Sequence, residues 1–231
     1  MVSPDFRSSI LFFLSFIMKS GILPAVIFLV ILGCSTNEFQ HEGEKQETRS
    51  KQEKIHLLAI DKVDPTLLEK LRTNLEKIFV QKIKVSQTSL DLEFAYNLER
   101  KQYYSSAILE KLQIMGSGTG ERILGLIDID LYVPDLNFVF GEADVVEKTA
   151  VISTKRLRQE YYGLPKDEEL LLDRTLKESV HELGHTYGLG HCSDKNCVMY
   201  FSNSLQDTDF KSSSFCESCK RKLMLAIRSE G

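Results

Sequence analysis

Residues 181–191 read His181-Glu182-Leu183-Gly184-His185-Thr186-Tyr187-Gly188-Leu189-Gly190-His191, the pattern HExxHxxGxxH. His181 and His185 are four positions apart, so on a helix they project from one face, one turn apart. Two imidazoles placed in this way bind one Zn²⁺ at about 2.0–2.1 Å. Gly188 falls where the helix should end, because glycine takes the left-handed C′ conformation without steric cost. The chain can then turn and bring His191 to the same metal. Three neutral nitrogens leave a fourth position open for water, which marks a catalytic rather than a structural zinc. Glu182 adjoins a ligand but lies off the ligand face. It is placed to accept a proton from that water as it attacks a carbonyl, and to pass the proton to the leaving amine. A lone HExxH arises by chance, whereas the added glycine and third histidine make the pattern specific.

Four cysteines follow: Cys192 directly after the last histidine, then Cys197, and the CxxC pair Cys216 and Cys219. Four thiolates in tetrahedral coordination would form a closed structural zinc site, tying the loop after His191 to a C-terminal helix expected over residues 217–228. Disulfides are the alternative if the chain is exported. Met199, between the two cysteine pairs, would by itself be a core filler.

The elements that must position these groups can be read from hydrophobic periodicity. Residues 55–60 (IHLLAI) form an apolar run suited to a buried strand. Asp64 and Pro65 give an N-cap and first position for a helix carrying Leu67, Leu71, Leu75 and Phe79. Ile83 and Val85 alternate with polar residues as in a second strand. Tyr104, Ile108, Leu112 and Met115 predict a second helix, closed by a Gly116-Ser117-Gly118 turn. Three β-like segments follow at 123–129, 137–142 and 150–157, with a turn over 142–148. From Asp167 the pattern is helical, and Leu172, Leu176, Val180, Leu183 and Tyr187 mark one apolar stripe. The fold class is therefore α/β (α+β): a small mixed sheet with a long helix that carries the motif.

The rest of the chain places this domain. A net charge of −4 without a basic run provides no electrostatic footprint for nucleic acid. Residues 10–33 are strongly apolar but include Lys19, a costly charge within a membrane span. A start at Met18 gives a basic n-region, an apolar h-region over 21–33 and a lipobox-like end at Cys34. Residues 1–34 are accordingly expected to be a lipoprotein leader lipidated at Cys34, with an uncleaved hydrophobic anchor as the alternative. Residues 35–54 are too polar to bury a core and read as a tether. The catalytic domain is expected over 55–231, in an exported, membrane-anchored and monomeric protein.

HExxHxxGxxHC followed by CxM and CxxC resembles the archaemetzincins, metzincin-type zinc peptidases with a second, four-cysteine zinc site. Residues 123–134 and 137–143 look like theirs too. The resemblance implies a zincin fold with two Zn²⁺ per chain. His181, His185 and His191 would be catalytic zinc ligands and Glu182 the general base. Met199 would be the Met-turn residue beneath the histidines, and Cys192, Cys197, Cys216 and Cys219 would hold the structural zinc. Residues 137–143 would be the edge strand along which an extended peptide or protein substrate lies. Some metzincins carry a tyrosine two residues after the methionine, a position held here by Phe201, with Tyr200 before it. That role is therefore not transferred. The rival functions are a non-peptidase zinc amidohydrolase and a non-catalytic, zinc-stabilised binding protein, and the intact Glu182 argues against the second.

Overall fold

The computed structural model describes residues 54–116 and 120–230. The leader, the tether, Met18 and Cys34 lie outside the described residues, as do Ser117 and Gly118 of the expected turn. In chain order the elements are β1 (Ile55–Ile60), α1 (Pro65–Phe79), β2 (Ile83–Thr88), β3 (Tyr96–Asn97), β4 (Gln102–Tyr104), α2 (Ser105–Gly116), β5 (Arg122–Ile127), β6 (Leu131–Tyr132), β7 (Gly141–Asp144), β8 (Thr149–Ser153), α3 (Glu168–Thr186), α4 (Leu205–Phe210) and α5 (Glu217–Ser229). The Asp64 side chain accepts from Thr66 N–H at 2.8 Å and Asp167 accepts from Leu170 N–H at 2.9 Å, so both long helices start on an acidic cap.

Among the described residues a five-stranded sheet runs β2-β1-β5-β8-β7, parallel except for β7, which pairs antiparallel at one edge. The central strands are buried on both faces, and their alternation feeds two cores. Ile55, Leu57, Ala59, Leu124, Leu126, Ala150 and Ile152 pack with α1, α3 and α5. Leu58, Ile60, Ile123, Ile127 and Val151 pack on the other side with α2. The result is a three-layer α/β arrangement that holds α3 against β7 and β8. Phe79, at the end of α1, stacks on Tyr187 at 5.7 Å and meets Phe215 edge-on at 6.1 Å. Such aromatic pairs contribute about 0.5–1.5 kcal/mol each beyond area burial, and here they fasten the end of α3 to α1 and to the segment before α5.

Several predicted boundaries move, among them the strand expected at 123–129, which spans Arg122–Ile127, and the turn expected over 142–148, which follows Asp144. Tyr104 is the last residue of β4, paired with Tyr132, and the helix begins at Ser105. The strand expected at 150–157 stops at Ser153. There the Ser153 hydroxyl accepts from Lys155 N–H at 3.1 Å and the chain enters a 3₁₀ turn at Lys155–Leu157. The strand expected at 137–142 is laddered only over Gly141–Asp144. Its upstream carbonyls are taken by side chains: Arg100 donates to Leu136 O at 2.7 Å, and Gln102 donates to Asn137 O at 2.9 Å. Side-chain donors from a segment distant in the chain thus replace the ladder bonds that period-two patterning implied. The short sheet β3-β4-β6 had no signal in the periodicity, because its strands are two or three residues long.

Candidate metal centre and its cavity

Helix α3 is buried far beyond one stripe. Leu171, Arg174, Thr175, Lys177 and Glu178 are buried, as are all residues from Ser179 to Gly184. Its last two turns carry His181 and His185. The helix closes with Tyr187 N–H donating to the Gly184 and Leu183 carbonyls, and Gly188 follows at φ 79°. That left-handed residue reverses the chain and returns His191 to the other two histidines. One nitrogen from each of the three rings lies within 4.8 Å of the others.

Backbone carbonyls fix the tautomers. His181 Nδ1 lies 2.8 Å from Val198 O and His185 Nδ1 lies 2.7 Å from Leu189 O. A carbonyl only accepts, so each Nδ1 bears the proton and each Nε2 presents its lone pair. The two Nε2 atoms are 3.1 Å apart. Two lone pairs at that distance repel unless a cation lies between them, so this donor set fits a divalent metal such as zinc. Burial, followed by the Lys211 charge, pushes His181 well below the usual histidine range. Burial lowers His185 and His191 too. All three rings are held in the neutral form that a metal requires.

Met199 is fully buried beneath this end of the helix. A Cβ on Gly184 would stand 2.5 Å from Met199 Sδ, so the glycine inside the motif is what lets the sulfur approach. Cys192 N–H donates to Met199 O at 2.9 Å and Tyr200 N–H donates to Cys197 O at 2.9 Å, which makes a tight turn under the histidines. Phe201 covers His191 from the side, with ring centroids 4.8 Å apart.

Glu182 is 6% exposed and lines a cavity of about 210 Å³ together with His181, Glu178, residues 136–141 and residues 201–203. Burial raises its carboxyl well above the usual range, and the neighbouring Glu178 and Glu142 charges add to this while Lys211 opposes them. Such a group readily takes and returns a proton. One turn before it, Glu178 forms a buried pair with Lys211 at 3.1 Å and accepts from Thr208 Oγ1 at 2.9 Å. Lys211 also reaches Tyr200 O at 3.4 Å, linking α3 to the turn that contains Met199.

The four cysteines form a second cluster, with one sulfur from each within 4.8 Å of the others and none in a disulfide. Cys192 and Cys216 Sγ are 3.8 Å apart, the sulfur–sulfur edge of about 3.8 Å that a tetrahedron with metal–sulfur bonds of about 2.3 Å would have. The Cys219 N–H holds the Cys216 thiol down to about 7, while burial pushes Cys197 and Cys219 up. Buried thiols of that kind ionise only beside a cation, which suits a metal here as well.

Of the residues singled out in the sequence, the structure brings His181, Glu182, His185, His191 and Met199 together in one centre, and the four cysteines in another. Cys34 lies outside the described residues. Glu178 and Lys211 had not been singled out. Glu178 had a faint signal, three positions before His181 on the same helix. Lys211, twenty-five residues beyond the end of the helix, had none.

Peptidase family M54 matches residues 47–225 of the chain. The archaemetzincin of Methanocaldococcus jannaschii is 47% identical over 130 residues, 56% of this chain and 70% of that protein. The solved archaemetzincin of Methanopyrus kandleri superposes with a TM-score of 0.69 at 41% identity, over 78% of this chain and 98% of that one. A zinc-dependent peptidase from Methanocorpusculum labreanum gives a TM-score of 0.70 at 30% identity, over 73% and 99% of the two chains.

Proposed function

The chain belongs to Peptidase family M54 and is a zinc-dependent metallopeptidase, and we propose that His181, His185 and His191 hold its catalytic zinc with Glu182 as general base. The observation that carries the assignment is the pair of Nε2 lone pairs 3.1 Å apart, each aimed by an Nδ1–H donated to a backbone carbonyl. When bound, zinc supplies Lewis acidity, polarising a carbonyl and making water more acidic. Glu182 accepts the proton of the attacking water and returns it to the departing amine. Its burial among Gly141, Glu178 and the histidines favours both transfers by excluding bulk water. Edge strand β7 and the extended residues before it line the same cavity, so an extended peptide would add along that edge as a further strand. Neither the amidohydrolase nor the binding-protein alternative is favoured by the family membership.

Glu182→Gln tests the assignment. It should keep the zinc content of the wild type and reduce peptide hydrolysis by at least about a hundredfold. Equal rates in the two proteins would remove Glu182 from the chemistry.

The finer reading has two zinc ions per chain, the second on Cys192, Cys197, Cys216 and Cys219, and it rests on the sulfur spacing and the buried thiols. It has a monomer, since ligands and base come from one chain. It also has an exported protein anchored by lipid on Cys34, supported by the lipobox-like end of an apolar leader. Among the described residues, no helix is long and apolar enough to cross a membrane. Incorporation of a labelled lipid precursor that Cys34→Ala abolishes is the expected result, and labelling that survives the substitution would sink the anchor.

A further inference from the structure

The cavity beside His181 and Glu182 contains a carboxylate that the hydrolytic chemistry does not use. Glu178 is only 3% exposed, yet it lines that cavity. Its two bonding partners, Thr208 Oγ1 and Lys211 Nζ, both reach Oε1. A carboxylate accommodates about four donors, and the one hydrogen bond Glu178 accepts among the described residues falls on Oε1, which leaves Oε2 capacity for another. Ser202 lines the same cavity, and its buried hydroxyl lacks a hydrogen-bond partner among the described residues. The remaining wall is largely apolar and includes Leu136, Phe138, Phe140 and Phe201. At about 210 Å³ the space far exceeds the roughly 10–15 Å³ that one water requires.

Taking the peptidase reading as given, we propose that this cavity receives the side chain of a substrate residue next to the scissile bond, and that Glu178 selects lysine or arginine there. A long methylene stem would lie against the aromatic wall while its cationic tip donates to Glu178 Oε2 and the Ser202 hydroxyl. An apolar tip of equal length leaves both acceptors without a partner, which is the costly case for buried polar groups. An acidic tip meets the Glu178 and Glu182 carboxylates and is excluded. Lys211 neutralises one side of Glu178 but is itself fully buried. It keeps the empty carboxylate tolerable in the low-dielectric wall and leaves its other oxygen for the substrate.

Two sets of fluorogenic peptides test this, one varied on each side of the scissile bond, with lysine, Nε-acetyl-lysine, norleucine or glutamate at the varied position. With the zinc-loaded wild-type protein, lysine at one of the two positions should exceed norleucine and acetyl-lysine in kcat/KM by about tenfold or more, and glutamate should be slowest. In Glu178→Gln the lysine-to-norleucine ratio at that position should fall to near one, whatever the absolute rate. Norleucine equal to or better than lysine at both positions would overturn the assignment, as would an unchanged ratio in Glu178→Gln. If that variant does not fold, the wild-type comparison of lysine with acetyl-lysine decides alone, because it removes the charge while retaining the stem. Hydrolysis of no peptide at all would instead overturn the peptidase reading on which this one rests.

Discussion

Met199 Sδ and Gly184 Cα are in such close apposition that a Cβ on the glycine would stand 2.5 Å from the sulfur and 3.2 Å from the methyl carbon. Gly184 is the second variable position of HExxH, a place where any helix former would satisfy local propensity. The tertiary contact decides it. Gly184→Ala should therefore destabilise the protein by about 1–3 kcal/mol through overpacking, despite alanine's higher helix propensity. Urea unfolding with the zinc content held fixed measures this. A stabilised variant would show that Met199 moves aside freely.

The histidine centre should make the metal-free state acid-sensitive. The folded chain keeps His181, His185 and His191 below their ordinary value of 6.5, whereas the unfolded chain protonates there. Unfolding then takes up protons, so stability falls as pH drops through 6.5 and is level above it. Glu182 works in the opposite direction. Its raised carboxyl stays protonated in the folded state above 4.5, and its contribution is lost as pH rises toward the folded value. After mild chelation, urea midpoints between pH 5 and 8 should show the acid loss, and Glu182→Gln should steepen it. A flat profile in both proteins would contradict the burial of the rings.

Removing one cysteine sulfur should separate the two centres. Cys216→Ser is expected to reduce bound zinc from two ions to one and to lower the melting temperature by several degrees or more, as loss of a structural metal does. Metal analysis combined with thermal unfolding checks this. Two zinc ions retained in the variant would rule out the sulfur site.

The pair Glu178 and Lys211 is buried at 3% and 0% exposure. Lys211→Met leaves a buried carboxylate uncompensated and should cost about 3–5 kcal/mol. The double variant Glu178→Gln/Lys211→Met should recover much of that loss. A double-mutant cycle by urea unfolding gives the coupling, and strictly additive costs would mean that the two residues do not interact in solution.

The histidine cluster was legible in one short window. His181, Glu182, His185, Gly188 and His191 belong to a single helix and the turn that ends it, where spacing along the chain is spacing in space. The long elements were legible for a similar reason: Asp64 and Asp167 cap their helices locally, and β1, β5 and β8 advertise their burial as apolar runs. The four cysteines announced themselves by type rather than by position.

Whatever depended on partners distant in the chain was settled only by the tertiary structure. Val198 and Leu189 decide which nitrogens of His181 and His185 are free, and Met199 decides that residue 184 must be glycine. Arg100 and Gln102 decide that residues before Gly141 are extended but unladdered. Lys211 crosses thirty-three residues to meet Glu178 inside the cavity wall. Sequence alone thus determined which residues gather into the histidine cluster, because a helix translates local periodicity into geometry. Its tautomers, its buried charges and the shape of the cavity beside it arise from packing between segments that share no period, and only the folded chain brings these segments together.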